Sequence, residues 1–229
     1  MNRVESMLRL QQELNDDTNG KGWEKGITKN GKIIDWRRCI YLEAAELIES
    51  YPWKHWKNIA AEADYENIRI ETVDIWHFIM SEALRLEKLE RDGDIADLVQ
   101  TIESLEAYIR FRDGDRADTG GDIYAEMALV ERLIEGIFCD RRIERLMSDF
   151  FDMASVSGLN LESLYTLYIG KNVLNRFRQN HGYKEGEYLK IWNGREDNVL
   201  MQEILASNSG ISPEALYEAL EEIYGTLQS

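Results

Sequence analysis

Acidic side chains at three-residue intervals are the part of this chain best suited to chemistry. Glu43, Glu46 and Glu49 form one such series, and Glu71 and Asp74 form another further along the chain. Side chains three apart lie on one face of a helix. Two such helices facing each other would bring carboxylates together that repel one another unless cations lie between them. Magnesium suits such a cluster and takes its remaining ligands from water and substrate phosphates, so the pattern predicts a phosphate-handling metal site.

A solvated acidic helix face is the competing interpretation. The chain has 43 Asp and Glu residues and is 31% charged, and acids spaced by chance in such a chain usually face water. Asp74, however, lies in the apolar run of residues 73–80. A carboxylate buried there needs a partner or a metal. We therefore expect Asp74 to be functional and Glu43 to be the dispensable acid.

A basic stretch at residues 170–190 reverses the charge of an otherwise acidic chain. Lys171, Asn175 and Arg178 share one helical face by their spacing, and Lys184 and Lys190 follow. Lys and Arg can hold phosphates while an amide reads the edge of a base. The alternative is a basic helix end that is favoured by the helix dipole and paired with acids elsewhere.

Amide and aromatic residues supply a third group. Gln11 and Asn15 share a face of the first helix. Trp53, Trp56 and Phe78 lie near the acidic helices in sequence, where they could form a slot for a flat base. Core packing is the more common role of such aromatic residues.

A di-iron carboxylate bundle is a rival metal site, because His77 follows Asp74 at a three-residue interval. That design needs a Glu-x-x-His motif on each of two helices. The chain has three histidines, and neither His55 nor His181 completes a second motif. We therefore favour magnesium over iron.

Bulk composition sets limits on partners and location. The net charge of −16 argues against a general nucleic-acid surface, which needs clustered Lys and Arg. Cys39 and Cys139 lack the spacing of a zinc site or a disulfide framework, so we expect reduced core residues in a cytosolic protein. No apolar run suits a membrane span, and the first residues lack the apolar core of a signal peptide. The sequence therefore predicts a cytoplasmic protein that binds neither membrane nor nucleic acid.

Helical periodicity covers most of the chain, and proline occurs only at Pro52 and Pro213. The sequence predicts an all-α helical bundle forming one domain over residues 1–229, with an exposed turn at 113–118. Ser212 and Pro213 predict the start of the last helix. The remaining helices are expected near residues 3–15, 36–50, 53–56, 65–91, 95–111, 119–139, 141–155 and 161–180, with a polar loop through residue 31.

Several of these stretches together resemble the dimeric dUTPases. The resemblance rests on LQQELN at residues 10–15, the two acidic motifs, PWKHWK at 52–57, and KNVLN at 171–175 with Tyr183 and Lys190. That family belongs to the all-α nucleoside triphosphate pyrophosphatase superfamily, which includes MazG-like enzymes and phage dCTPases. Residues 92–158 carry no motif that we can match.

The resemblance implies a homodimer that hydrolyses dUTP, and also dUDP, to dUMP. It implies that Mg²⁺, with Mn²⁺ as a possible substitute, binds to Glu46, Glu49, Glu71 and Asp74, and that Glu49 activates the attacking water. The residues it implies for binding the base, sugar and phosphates are Gln11, Asn15, Trp53, Lys54, Trp56, Phe78, Lys171, Asn175, Arg178, Tyr183, Lys184 and Lys190.

Two other functions stay open from the residues alone. One is a dCTPase or a nucleoside triphosphate pyrophosphatase of broader specificity. The other is a non-catalytic helical protein whose acidic surface binds a partner. Pyrophosphate release from dUTP, with and without magnesium, distinguishes these functions.

Overall fold

Helices form nearly all of the regular structure in the computed structural model, which describes residues 2–58, 60–140 and 142–227. The described residues also contain a 3₁₀ turn at Trp23–Lys25 and an antiparallel hairpin of β1 (Ile191–Trp192) and β2 (Arg195–Glu196). The predicted all-α class is confirmed. The helices are α1 (Arg3–Asn19), α2 (Trp36–Glu49), α3 (Tyr65–Glu90), α4 (Ile95–Ser104), α5 (Glu106–Asp113), α6 (Ile123–Cys139), α7 (Ile143–Val156), α8 (Leu161–Asn180), α9 (Asp197–Ser207) and α10 (Pro213–Gly225).

The chain forms two compact units, Met1–Leu164 and Tyr165–Ser229. The single domain expected from the sequence stays a prediction. Within the described residues, no helix is both long and apolar enough to cross a lipid bilayer.

The pair of α2 and α3 is the most extensive helix contact in the first unit. Asp35 and Asp64 begin these helices as N-caps, each accepting a hydrogen bond from a backbone N–H three residues later. The buried stripe of α2 consists of Trp36, Ile40, Ala44 and Leu47. Because this stripe faces α3, it determines which acids of α2 approach that helix.

The central helices, for which the sequence offered no motif, pack against one side of α3 through α4 and α7. Trp76 of α3 stacks on Phe150 of α7 with ring centroids 4.7 Å apart, and Phe151 lies 5.2 Å from the same indole ring. Tyr108 and Phe111 of α5 also pack against Phe151. Residues 92–158 therefore supply much of the core that holds α3 in place.

The second unit has an aromatic core. Phe177 of α8 lies 5.6 Å from Trp192 of the hairpin and 5.5 Å from Tyr224 of α10, measured between ring centroids. Trp192 and Tyr224 are themselves 5.0 Å apart. These contacts place the hairpin and the following helices against the end of α8.

Three helix predictions were wrong. Residues 53–56 are not helical: residues 53 and 54 have no regular structure, and residues 55 and 56 form a turn. Leu105 adopts an extended conformation and divides the helix expected at 95–111 into α4 and α5. The helix expected from residue 119 begins at Ile123, after Gly120 and Gly121 take positive φ angles of 59° and 76°.

The core location expected for the two cysteines was also wrong. Cys139 is exposed at the end of α6, and Cys39 is half-buried on α2. Burial, together with the nearby charges of Glu43 and Asp35, raises the pKa of the Cys39 thiol to about 11. This thiol is therefore protonated at neutral pH and is a poor nucleophile.

Candidate active site

Three carboxylates converge where α2 passes the first turns of α3. Glu43 is half-buried, Glu46 is exposed and Glu71 is buried, and one oxygen from each lies within 4.8 Å of the others. The group unites an acid from each predicted motif with Glu43, which we had expected to be dispensable. Whether Glu43 is dispensable for activity stays a prediction.

The composition of this acidic trio, Glu43, Glu46 and Glu71, fits a hard divalent cation. All of its ligand atoms are carboxylate oxygens, which magnesium and manganese prefer over softer donors. With metal–oxygen distances near 2.1 Å, oxygens on one octahedral ion lie up to about 4.2 Å apart, so small side-chain rotations would suffice. Three like charges this close also repel each other in the absence of a counter-charge.

Glu49 and Asp74, the other two predicted metal ligands, lie outside the acidic trio. Glu49 has 54% of its side chain exposed and forms an ion pair with Lys54. Asp74 is half-buried one turn after Glu71. The structure thus brings two of the four predicted ligands together and leaves two beside them.

A helical wheel could have identified Glu43. An α-helix turns by about 100° per residue. On that basis Glu49 lies nearly opposite the mean direction of Ile40, Ala44 and Leu47, whereas Glu43 lies at the edge of this stripe. The three-residue spacing alone does not reveal this difference, because Glu46 has an acidic neighbour at that interval on both sides.

A cavity of about 730 Å³ opens beside the acidic trio. Glu46, Glu49 and Glu71 line it together with Lys54 and Lys57. Carboxylates that can bind a cation and ammonium groups that can bind phosphate oxygens therefore share one cavity. This mixture of charges suits a metal–polyphosphate ligand.

The loop at residues 50–64 forms one wall of this cavity, and a buried carboxylate anchors both of its ends. Tyr51 and Tyr65 donate hydrogen bonds of 3.2 and 3.0 Å to the same Oε2 atom of Glu126 on α6. Burial, followed by the charge of Glu126, raises the pKa of the Tyr51 hydroxyl well above its ordinary value. Glu126 lies in the segment without motifs, so sequence reasoning missed it.

The predicted amide pair on α1 belongs to a buried polar network with α3. Gln11 Nε2 and Asn15 Nδ2 each donate a 3.0 Å hydrogen bond to Ser81 Oγ, whose own hydroxyl donates to the His77 carbonyl oxygen. Gln11 Oε1 lies 2.7 Å from His77 Nδ1. Because Ser81 Oγ already donates elsewhere, it accepts from both amides and so determines their orientation.

The predicted aromatic slot is divided between two places. Trp53 and Trp56 pack edge to face at 5.6 Å, and Trp56 is 61% exposed. Phe78 instead stacks on Trp36 at 5.9 Å, with an interplanar angle of 27°. Trp36 is thus an aromatic neighbour of the predicted slot that sequence reasoning missed.

In the second unit, two of the three basic residues of α8 are buried, and Arg176 is exposed. Lys171 and Arg178 are 3% and 8% exposed, and Asn175 is half-buried between them in sequence. Tyr183 lies beneath Lys190 Nζ at 5.6 Å and the Arg178 guanidinium at 6.0 Å. Lys184 and Lys190 are exposed.

A family model described as dUTPase matches residues 3–183. The matched residues include the acidic trio, the amide network and the basic residues of α8. The match ends at Tyr183. The hairpin, α9 and α10 lie beyond the match. A comparison with curated proteins found no match.

Proposed function

Because this chain belongs to the dUTPase family and is thus a dUTP diphosphatase, we propose that its acidic trio binds magnesium for this reaction. The convergence of Glu43, Glu46 and Glu71 beside a cavity with lysines is the observation that supports this role. Magnesium at this position would neutralise the phosphate chain and lower the pKa of a bound water, and manganese could replace it.

Glu49 is the proposed general base. It lines the same cavity, and its exposed carboxylate is accessible to water. A carboxylate within hydrogen-bond reach of the attacking water can accept its proton. Asp74, one helical turn after Glu71, is proposed as a further metal ligand. The same residues would hydrolyse dUDP to dUMP and phosphate.

Base recognition is proposed for Gln11, Asn15 and Asn175. The buried network around Ser81 supports this role for the first two, because it holds their amides in a defined orientation. An amide can pair with both the O4 acceptor and the N3–H donor of uracil. Cytosine reverses that pattern and would leave buried polar groups unpaired, at a cost of about 1–3 kcal/mol.

The remaining substrate contacts are proposed by residue type. Lysine, arginine and tyrosine side chains donate hydrogen bonds to phosphate or sugar oxygens, and aromatic rings pack on base and deoxyribose. The exposure of Tyr183, Lys184 and Lys190 is compatible with such contacts. The residues proposed for these roles are Lys54, Lys171, Arg178, Tyr183, Lys184 and Lys190 for phosphate or sugar, and Trp53, Trp56 and Phe78 for base and deoxyribose.

A homodimer and a cytoplasmic location complete the proposal. Tyr41 of α2 and Phe138 of α6 form an edge-to-face pair at 5.5 Å, although 67% of Phe138 is exposed. Large aromatic side chains left open to water favour burial against another protein surface. This exposed pair supports association of the chain with a second copy.

Pyrophosphate release from dUTP in Mg²⁺, in Mn²⁺ and in excess EDTA tests the proposal. We expect turnover with either ion and none in EDTA. Full turnover in EDTA would exclude the proposed metal site. Measuring dCTP in parallel tests the base contacts, since equal kcat/KM values for the two nucleotides would contradict them.

A further inference from the structure

Asp197 is a buried acid that lies beside the basic residues of α8. It is the first residue of α9, directly after the β1–β2 hairpin, and it is 1% exposed. It lies beyond the residues that the family model matches. A carboxylate this deeply buried must be paired and hydrogen-bonded to remain charged.

The pairing of Asp197 with Arg178 is bidentate. Arg178 Nε and Nη2 donate 2.8 Å hydrogen bonds to the two carboxylate oxygens. Two parallel hydrogen bonds determine both the position of the guanidinium and the rotation of its plane. Asp197 thereby occupies the Nε/Nη2 edge of Arg178, and Nη1 donates a 3.4 Å hydrogen bond to Asn175 Oδ1. A phosphate oxygen would therefore meet the guanidinium on the Nη1 side, beside Asn175.

Two neighbours hold this arrangement in place. The Tyr188 hydroxyl donates a 2.7 Å hydrogen bond to Asp197 Oδ2. Asn198 Oδ1 accepts from Lys171 Nζ at 2.9 Å and from Arg178 Nη2 at 3.3 Å. Asp197 therefore contacts Arg178, and Asn198 contacts both Lys171 and Arg178, the two buried cations of α8.

The charges of this group favour an ionised Asp197. Burial alone raises the pKa of its carboxyl, but the hydrogen bonds and charge of Arg178, with further help from Tyr188 and Lys171, bring the net pKa below its ordinary value. The ionised carboxylate accepts both charge-assisted hydrogen bonds from Arg178, and these keep the guanidinium in one orientation.

We propose that Asp197 is a positioning residue for substrate phosphate: it holds the Arg178 guanidinium in the orientation that binds the phosphate chain of dUTP. The inference rests on the proposed function of Arg178. An arginine held in one rotamer loses less conformational freedom when it binds its ligand, so loss of Asp197 should weaken binding of phosphorylated ligands.

A positioning role and a purely electrostatic role predict opposite results for Asp197→Asn. This substitution removes a negative charge near the proposed phosphate position. If Asp197 only offset the charge of the cations, dUTP would bind more tightly to the variant. If Asp197 positions Arg178, KM for dUTP should rise about tenfold, with kcat changing less. Competitive inhibition by deoxyuridine, which lacks phosphate, should stay the same.

Asp149→Asn is the matched control. Asp149 is also a buried acid, 4% exposed, and its oxygens lie 2.9 Å from Arg132 Nε and 2.7 Å from Arg145 Nε. Its loss should destabilise the fold without changing KM. Tyr188→Phe is a milder test that keeps the Arg178–Asp197 pair, and we expect it to raise KM about twofold to threefold.

Each outcome of these measurements bears on the inference. An unchanged or lower KM in Asp197→Asn overturns it, and so does an equal KM increase in Asp149→Asn. If Asp197→Asn does not fold, an unchanged KM in Tyr188→Phe overturns it. If the wild-type chain does not hydrolyse dUTP, the proposed function fails separately. Calorimetric binding of pyrophosphate to the wild type and to Asp197→Asn then decides the inference.

Discussion

Acids on one helix point in different directions around its axis, and only those that point to the same place can bind one cation. Glu43, Glu46 and Glu49 have identical spacing along α2, but their exposure and partners differ. Glu43 is directed toward Glu71, whereas Glu49 is paired with Lys54. This difference suggests separate tasks for acids that look equivalent in the sequence: metal binding for Glu43 and water activation for Glu49.

Glutamine substitutions should separate these two tasks. Glu43→Gln removes one charge from the acidic trio, so the magnesium concentration for half-maximal activity should rise about tenfold or more. Glu49→Gln keeps the trio but cannot accept a proton, so kcat should fall by roughly 10²–10⁴-fold at saturating magnesium. Steady-state kinetics over a magnesium titration measures both effects.

Glu66→Gln serves as the control for this pair, because Glu66 is an exposed acid at the start of α3. It should change neither quantity. A normal magnesium requirement in Glu43→Gln would remove Glu43 from the metal site. Near-normal turnover in Glu49→Gln would end its assignment as general base.

Ser81 should affect both stability and base choice. Ser81→Ala removes the acceptor shared by Gln11 and Asn15, so the variant should lose about 1–3 kcal/mol of unfolding free energy. The freed amides should also reduce the preference for dUTP over dCTP. Urea unfolding and the ratio of the two kcat/KM values measure these effects.

Thr72→Val is the control on the same helix, because the Thr72 hydroxyl donates only to the Ile68 carbonyl of its own helix among the hydrogen bonds that the structure describes. It should leave the ratio of kcat/KM values unchanged. An unaltered preference for dUTP in Ser81→Ala would show that the network does not orient base-reading amides.

At the scale of elements, the loop between α2 and α3 lines the cavity, and α6, which is far away in sequence, holds this loop in place. The loop at residues 50–64 lines the cavity with Lys54 and Lys57, and Glu126 of α6 binds a tyrosine at each of its ends. The hydrogen bond from Asn67 Nδ2 to Ser50 Oγ, at 2.8 Å, adds a further connection. The central segment therefore contributes to the site without lining the cavity.

Loss of the Glu126 anchor should open this loop. Glu126→Leu removes the acceptor of both tyrosines. If local opening becomes easier by about 1.4 kcal/mol, tryptic cleavage after Lys54 or Lys57 should accelerate about tenfold. The initial cleavage rate under native conditions measures this. Tyr124→Phe, an exposed position on the same helix, should cleave like the wild type. An equal cleavage rate in Glu126→Leu would show that other contacts hold the loop.

At the scale of the whole molecule, charge and exposed aromatic surface act in opposite directions. A net charge of −16 disfavours association of identical chains through mutual repulsion. The exposed Tyr41–Phe138 pair favours burial against another surface. Salt screens the repulsion and leaves apolar burial intact, so self-association should strengthen with ionic strength.

Sedimentation equilibrium at micromolar concentration should give twice the 26.7 kDa mass of the chain. Lowering the salt concentration should weaken the dimer, and raising it should strengthen it. Phe138→Asp adds charge and removes apolar surface, so it should weaken association if this surface is covered. An active monomer at all salt concentrations would contradict the proposed homodimer.

The sequence by itself determined the helical class, most helix positions and the family. Helical periodicity, N-caps such as Asp35 and Asp64, and the acidic and basic motifs are local, because backbone geometry relates residues a few positions apart. For the same reason the sequence identified Glu46 and Glu71 as partners in one acidic group. Spacing from Glu46 alone could not separate Glu43 from Glu49, whereas their directions relative to the apolar stripe of Ile40, Ala44 and Leu47 on a helical wheel differ.

Tertiary structure decided the contacts between residues far apart in the chain. Side-chain packing sets the rotation of each helix, and this brought Glu43 to Glu71 and Phe78 to Trp36. The pairing of Arg178 with Asp197 depends on a hairpin that turns α9 back toward α8. No local sequence pattern predicts these long-range contacts, because they form when many apolar side chains are buried at once.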